Sequence, residues 1–188
     1  MHIVFSGNNA WGMWNFRGHV LAHFAARGVR VSVLAPYDAT WFPKLQELGC
    51  EVHHISINAK GTNPIKDMGL YLQYRRMFKK LRPDASITYT IKPNIYGSLA
   101  AQSLKIPYLP ITTGLGYVFL QRGIVPWIAK QLYRFAFSHA RKVWFLNQDD
   151  VRTFQDSKLV DAGHVEQLPG EGIDLDHFAL TGLPVSPQ

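Results

Sequence analysis

Two hydrophobic rhythms alternate along the chain. Short, nearly continuous apolar runs predict buried strands over His2 to Ser6, Arg30 to Ala35, Glu51 to Ile57, Ala85 to Tyr89, Ile106 to Thr112, Val143 to Leu146 and Val165 to Leu168. Between them, apolar residues recur every three or four positions, which predicts helices. The first follows the loop Gly7 to Gly12 and ends near Gly28; the second runs from Thr40 to Leu48 and is closed by Gly49. Others are expected over Ile65 to Leu81, Ile95 to Lys105, within Tyr117 to Lys142, and from Gln148, where Asp149 and Asp150 suit the helix dipole. Strands alternating with helices in this way predict an α/β fold with a parallel sheet flanked by helices.

The stretch from Tyr89 to Gly116 is the most informative. Pro93 lacks an N–H and stops any strand, and it biases Lys92 to an extended conformation. Asn94 stands where an N-cap is expected. Gly97, Ser98, Ala100 and Ala101 let the following helix lie close to a sheet or a ligand. The strand Ile106 to Thr112 then leaves through Thr113-Gly114-Leu115-Gly116. In open parallel sheets ligands bind beyond the carboxyl ends of the strands, so these two exits are the expected site.

The first loop, Gly7-Asn8-Asn9-Ala10-Trp11-Gly12, occupies the equivalent place after the first strand. It does not have the G-x-G-x-x-G spacing, so no nicotinamide or flavin cofactor is expected, and Asp38 after the second strand carries little weight as a ribose ligand. Amides of Gly7, Asn8 and Gly12 either serve an anion or merely shape a turn. His19 and His23 share a helix face with no acidic third ligand, so a metal site is not expected.

Two surfaces carry unusual charge or apolar bulk. On the helix Ile65 to Leu81, Tyr71, Tyr74, Phe78 and Leu81 mark the buried stripe, while Arg75, Arg76, Lys79 and Lys80, with Arg82 beyond, crowd the rest. They are either a solvated face or contacts for lipid phosphates. Between Val118 and Trp127, the apolar residues Phe119 and Trp127 flank Arg122 in the pattern of a membrane-interface segment, whereas Leu132 to Ala140 is read as core.

Composition narrows the partners. The 188-residue chain is 47% hydrophobic and 18% charged, ordinary for one globular domain with a sizeable core. Its net charge of +7 favours anionic partners, but no nucleic-acid-binding motif accompanies it. No apolar run reaches the roughly 20 residues that span a bilayer, and the start does not resemble a signal peptide. The single Cys50 cannot form an internal disulfide and suits a reducing compartment. From Pro169 to Gln188 the sequence is rich in proline and glycine and reads as a linker or tail.

The run Thr90-Ile91-Lys92-Pro93-Asn94-Ile95-Tyr96-Gly97, with Thr113-Gly114-Leu115-Gly116, resembles the N-terminal half of family 4 retaining glycosyltransferases of bacterial surface-polysaccharide assembly. Phe145-Leu146-Asn147-Gln148-Asp149-Asp150 and the run Leu168 to Phe178 resemble the same family's last strand–helix unit and interdomain linker. The resemblance implies a GT-B architecture of facing Rossmann-like halves. Residues 1–168 would be the acceptor-side domain and 169–188 the linker, with the donor domain lying on a longer protein or a separate chain. It also implies transfer from a UDP-sugar, a substrate rather than a cofactor, to a lipid-linked saccharide, on the cytoplasmic side of a bacterial membrane touched peripherally. Lys92 and Asn94 are then the candidate catalytic residues. Gly7, Asn8, Asn9, Trp11, Gly12, Thr90, Tyr96, Thr113, Gly114, Leu115 and Gly116 are candidate substrate contacts. Arg75, Arg76, Lys79, Lys80, Phe119, Arg122 and Trp127 are candidate membrane or lipid-phosphate contacts. Some relatives place a histidine in this cleft; Tyr-Thr-Ile-Lys-Pro-Asn has none, which leaves the general base open. A nucleotide-dependent epimerase or dehydrogenase domain, and a non-catalytic membrane-docking module, are the competing readings.

Overall fold

The computed structural model describes residues 1–58, 64–114, 123–170, 172 and 175. Seven strands, β1 (His2–Ser6), β2 (Arg30–Ala35), β3 (Glu51–His54), β4 (Ala85–Tyr89), β5 (Tyr108–Thr112), β6 (Val143–Phe145) and β7 (Val165–Gln167), form one sheet. Every pairing is parallel and the order is β3-β2-β1-β4-β5-β6-β7. The predicted α/β class therefore holds, with all seven strands where the apolar runs lie.

Helices α1 (Ala10–Ala26) and α2 (Trp41–Glu47) cover one face; α3 (Pro64–Leu81), α4 (Ser98–Ser103), α5 (Ile124–Phe137) and α6 (Gln148–Asp156) cover the other. Alternation within β1 feeds both layers. Ile3 and Phe5 join Met13, Leu21 and Leu45 under α1 and α2, whereas Val4 joins Tyr74, Phe78, Phe137 and Phe154 under the second layer. Burial on both faces is why these strands read as continuous apolar runs rather than alternating ones.

Several boundaries differ from expectation for identifiable reasons. β3 stops at His54 rather than Ile57, because its partner β2 runs into Pro36, which has no N–H to continue the ladder; the last bond is from the Ile55 amide to the Ala35 carbonyl at 3.0 Å. Pairing of β5 starts at Tyr108 rather than Ile106, since the Ile106 amide instead closes α4 on the Ala101 carbonyl at 2.9 Å.

The largest difference is at Lys92 to Gly97. Lys92 is helical (φ −70°, ψ −44°), not extended, and the segment Pro93–Gly97 is a π-helical turn leading into α4. The chain turns before the proline, at Thr90, whose φ is +68°. Pro93 thereby falls in a first helical turn, where a missing N–H is tolerated. Asn94 is consequently not an N-cap. Its own amide bonds the Thr90 carbonyl at 2.9 Å, as in a helix interior. The N-caps that form elsewhere are Asn9 for α1 and Asn147 for α6, each accepting a backbone amide three residues on.

Candidate functional site

β1, β4 and β5 are consecutive in the sheet and parallel, in registers that place Ser6 beside Thr88 and Tyr89 beside Ile111. Their carboxyl ends therefore share one edge. The chain winds outward to β3 on one side of β1 and returns as β4 on the other, which makes β1/β4 the switch point where open α/β sheets leave a crevice. The first loop, Thr90 and Thr113-Gly114 border that edge together.

Each candidate there has a local structural account. A Cβ on buried Gly7 would lie 2.5 Å from Met13 Sδ, so the missing side chain is needed for packing under α1. Asn9 Oδ1 accepts the Gly12 amide at 2.6 Å, and a Cβ on Gly12 would stand 3.0 Å from that oxygen. Asn8 accepts from Asn9 Nδ2 at 2.8 Å, which fixes both amides at the helix start. Trp11 is half-exposed and stacks edge-on against Phe16 with centroids 5.3 Å apart. Thr90 is β-branched with positive φ, a sparsely populated conformation that concentrates at functional sites. Gly114, at φ +145°, is exposed beyond half-buried Thr113. Leu115, Gly116, Phe119 and Arg122 lie outside the described residues.

Arg17 lies on α1, where the sequence pattern gives it no partner. The fold buries it beneath the same crevice, its guanidinium carbon 4.7 Å from the Tyr89 ring centroid and 5.4 Å from that of Phe16. A helix periodicity cannot show this, because Tyr89 arrives from β4.

Lys92 and Asn94 are placed differently from the free cleft side chains that the sequence suggests. Lys92 Nζ donates to Asp67 Oδ1 at 2.5 Å, with only 11% and 14% of the two side chains exposed. Tyr96 donates to Asp67 Oδ2 at 3.1 Å. Burial, and then the neighbouring Asp67 charge, push the Tyr96 phenol far above its ordinary value and keep it a neutral donor. Asn94 is 1% exposed and donates to the Ile111 carbonyl at 2.9 Å, tying the β4 exit to the end of β5. Its Oδ1 is buried with no hydrogen-bond partner among the described residues, as are the hydroxyls of Thr88, Ser98 and Thr112. Asp67 was missed, being 25 residues from Lys92 and unremarkable as the lone acid of an exposed-looking helix turn.

The Lys92–Asp67–Tyr96 group stands between two cavities. A groove of about 1020 Å³ runs between α3, α4 and α5, walled by Tyr71, Ile95, Leu99, Ile128 and Leu132. A smaller cavity of about 530 Å³ lies at the ends of β2 and β3, bordered by His54, Ser56, Asn58, Lys66 and Gln73, and shares Asp67 with the groove. No group of three His, Cys, Asp or Glu side chains among the described residues could hold a metal ion.

On the outer surface of α3, Arg76, Lys79 and Lys80 are exposed and Arg75 is half-buried. α5 exposes Ile124, Val125, Trp127 and Ile128 and buries Tyr133, Ala136 and Phe137, following the split read from sequence, except that Phe135 is exposed. Among the described residues no helix is long and apolar enough to cross a membrane.

A parallel sheet in this order, with a strained β4 exit and polar loops at its switch point, defines a Rossmann-like α/β domain whose ligand edge is the carboxyl edge. The chain belongs to the glycosyl transferase 4-like domain family, which matches residues 12–171. It is 25% identical over 183 residues to the N,N'-diacetylbacillosaminyl-diphospho-undecaprenol alpha-1,3-N-acetylgalactosaminyltransferase of Campylobacter jejuni, covering 95% of this chain and 48% of that protein. Anabaena HepE, solved with UDP and glucose, superposes with a TM-score of 0.65 at 14% identity, over 94% of this chain and 46% of that one. A UDP-GlcNAc 2-epimerase from Neisseria meningitidis bound to UDP-GlcNAc gives 0.61 at 11% identity, over 88% and 46%. These two likenesses establish the fold. The chain spans about half the length of the relatives it matches.

Proposed function

We propose that this chain is the acceptor-side half of a glycosyltransferase that moves a sugar from a UDP-sugar to a lipid-linked saccharide. The observation that carries the reading is the family match over residues 12–171 together with the relative's activity on a diphospho-undecaprenol acceptor. Geometry supports it, since the loop Gly7 to Gly12, Thr90 and Thr113-Gly114 meet on the carboxyl edge. In this reading those backbone amides, Asn8, Asn9 and Trp11 wall the acceptor side of a cleft whose donor side lies on a second domain or chain. The leaving diphosphate develops negative charge, so fixed amides and cations rather than a strong nucleophile supply the stabilisation. Arg17, held against Tyr89, is a cation beneath that crevice. Lys92 acts as a positioning residue: through Asp67 and Tyr96 it fixes the π-helical turn on which the β4 exit rests. The reaction takes place at the cytoplasmic surface of the membrane, with α3 cations and Trp127 meeting anionic lipid. A polybasic surface gains about 1 kcal/mol per cation there.

The test is transfer of radiolabel from UDP-N-acetylhexosamine into an organic-extractable, diphosphate-linked saccharide by the complete protein. Incorporation that Arg17→Ala lowers by roughly two orders of magnitude, in line with loss of one charge-stabilising group, supports the reading. Interconversion of the UDP-sugar with no acceptor requirement would replace it with an epimerase, a fold-mate whose likeness makes it the competing case.

A further inference from the structure

Building on the lipid-linked saccharide reading, we infer that the smaller cavity, at the ends of β2 and β3, seats the acceptor's sugar and is shaped for a pyranose bearing an acetamido group. Its donors are fixed by a chain of hydrogen bonds that starts at the backbone. The Tyr37 amide, just beyond β2, donates to His54 Nδ1 at 2.9 Å, so Nδ1 is an acceptor and the neutral ring carries its proton on Nε2. That Nε2 donates to Ser56 Oγ at 3.1 Å, which leaves the Ser56 hydroxyl its own proton to donate onward. The Ser56 amide donates in turn to Gln73 Oε1 at 3.0 Å, and this sets the side-chain amide with its Nε2 hydrogens left to give. Ser56 and Gln73 both line the cavity, so it presents neutral donors whose sense the backbone dictates.

Asp67, on the same wall, supplies the acceptor. Lys92 and Tyr96 each donate to a different one of its oxygens, and each oxygen keeps a second lone pair. A site that gives two hydrogen bonds and receives one matches a sugar with an acetamido substituent. The amide carbonyl takes Ser56 and Gln73, a ring hydroxyl goes to Asp67, and the methyl group meets Pro36, Ile57 and Leu70. Charge agrees with a neutral ligand rather than a phosphate, because the lining carries one cation, Lys66, and one carboxylate, Asp67. The volume, about 530 Å³, lies within the roughly 300–1,000 Å³ that ligand pockets occupy.

Gly69 ties the cavity to a ligand independently. It stands inside α3, where glycine weakens a helix relative to alanine. A Cβ built there would meet no atom within 4 Å, so packing does not demand the glycine; at Gly97, by contrast, a Cβ would come within 3.1 Å of Thr88. Helical backbone does not demand it either, since any residue adopts that conformation. Gly69 borders the cavity, and what its missing side chain does is keep that wall bare. A ligand lying against the helix accounts for a weakened α3 at this one place.

Methyl N-acetyl-α-glucosaminide and methyl α-glucoside, which differ in the acetamido group alone, are the probes, titrated into this chain and followed by backbone amide NMR shifts. The acetamido sugar should bind roughly tenfold more tightly, from one more hydrogen bond and a methyl group leaving water, with shifts at Tyr37, Ser56 and residues 67–73. Gly69→Leu fills the cavity while removing a helix-weakening residue, so it should abolish this binding with thermal stability unchanged or raised. Gln73→Glu keeps an oxygen for the Ser56 amide but turns the outward donors into an acceptor, and it should lower affinity roughly tenfold. Arg152→Ala, on the exposed face of α6, should bind normally. Equal affinities, or no binding of either probe, overturn the inference. So does a Gly69→Leu variant that binds normally, or shifts confined to the loop Gly7 to Gly12. No lipid or nucleotide enters this experiment, so its failure strikes the cavity alone. A chain that binds the acetamido sugar here while the complete protein transfers no sugar would instead strike the reading on which the inference rests.

Discussion

At the scale of single residues, the near-buried pair Lys92–Asp67 has a measurable consequence. Removing one partner of such a pair strands the other charge away from water, whereas removing both does not. Lys92→Met and Asp67→Asn should each lower stability by about 2 kcal/mol, the fully buried cost reduced for a pair at the groove mouth. The double variant should recover part of the loss, as a denaturant double-mutant cycle would show; additive losses would mean the pair is not coupled. His2 offers a second test. Its Nδ1 donates to the Leu81 carbonyl at 3.1 Å and its Nε2 accepts from Ser32 at 2.8 Å. Burial, reinforced by nearby Arg30, lowers its pKa below the ordinary 6.5, and burial lowers His53 likewise. The folded state then binds fewer protons than the unfolded one near pH 6.5. Stability is full above that value and falls as acid drives the pH down toward the lowered folded values. Glu51, depressed below 4.5 chiefly by its hydrogen bond to Arg30, adds a further loss on the acid side of that value. Urea titrations between pH 8 and 5 should show the first decline, and His2→Asn should flatten it; an unchanged slope would contradict the assignment.

Among the elements, the π-helical turn Pro93–Gly97 joins the two strand exits. A Cβ on Gly97 would come within 3.1 Å of Thr88 Cγ2 and 3.5 Å of Tyr74 Cε1. Helix preference alone predicts that Gly97→Ala stabilises by about 0.5–1 kcal/mol. The close approach to β4 predicts the reverse, a loss of about 1–3 kcal/mol from overpacking, and thermal unfolding decides between them. This turn also shows where sequence reading stops. Strand positions were legible because burial on both faces leaves continuous apolar runs, and Gly97 with its small neighbours announced the close packing. Asn94, Lys92 and Asp67 were not legible in their true places. A proline-based rule fixes local conformation only when tertiary contacts do not compete, and here Thr90 takes the strained turn while Asn94 bonds across to β5. Arg17 escaped for a related reason: its partner Tyr89 is close only after β4 has paired with β1.

For the whole molecule, one sheet edge collects the features that bear on function. A cavity with hydrogen-bonding groups lies there beside an apolar groove, and the two share Asp67. Residue composition reported the positive charge but not that apolar residues of α3 and α5 border a common groove, since those helices are distant in sequence and both pack on the π-helical turn and α4. The most direct measurement is amide hydrogen exchange of this chain with and without a diphosphate-linked polyprenyl saccharide. Slowed exchange is expected at residues 6–12, 89–96 and 112–114, the exits of β1, β4 and β5. Protection confined to α2, or to β7 with the outer face of α6, would contradict it.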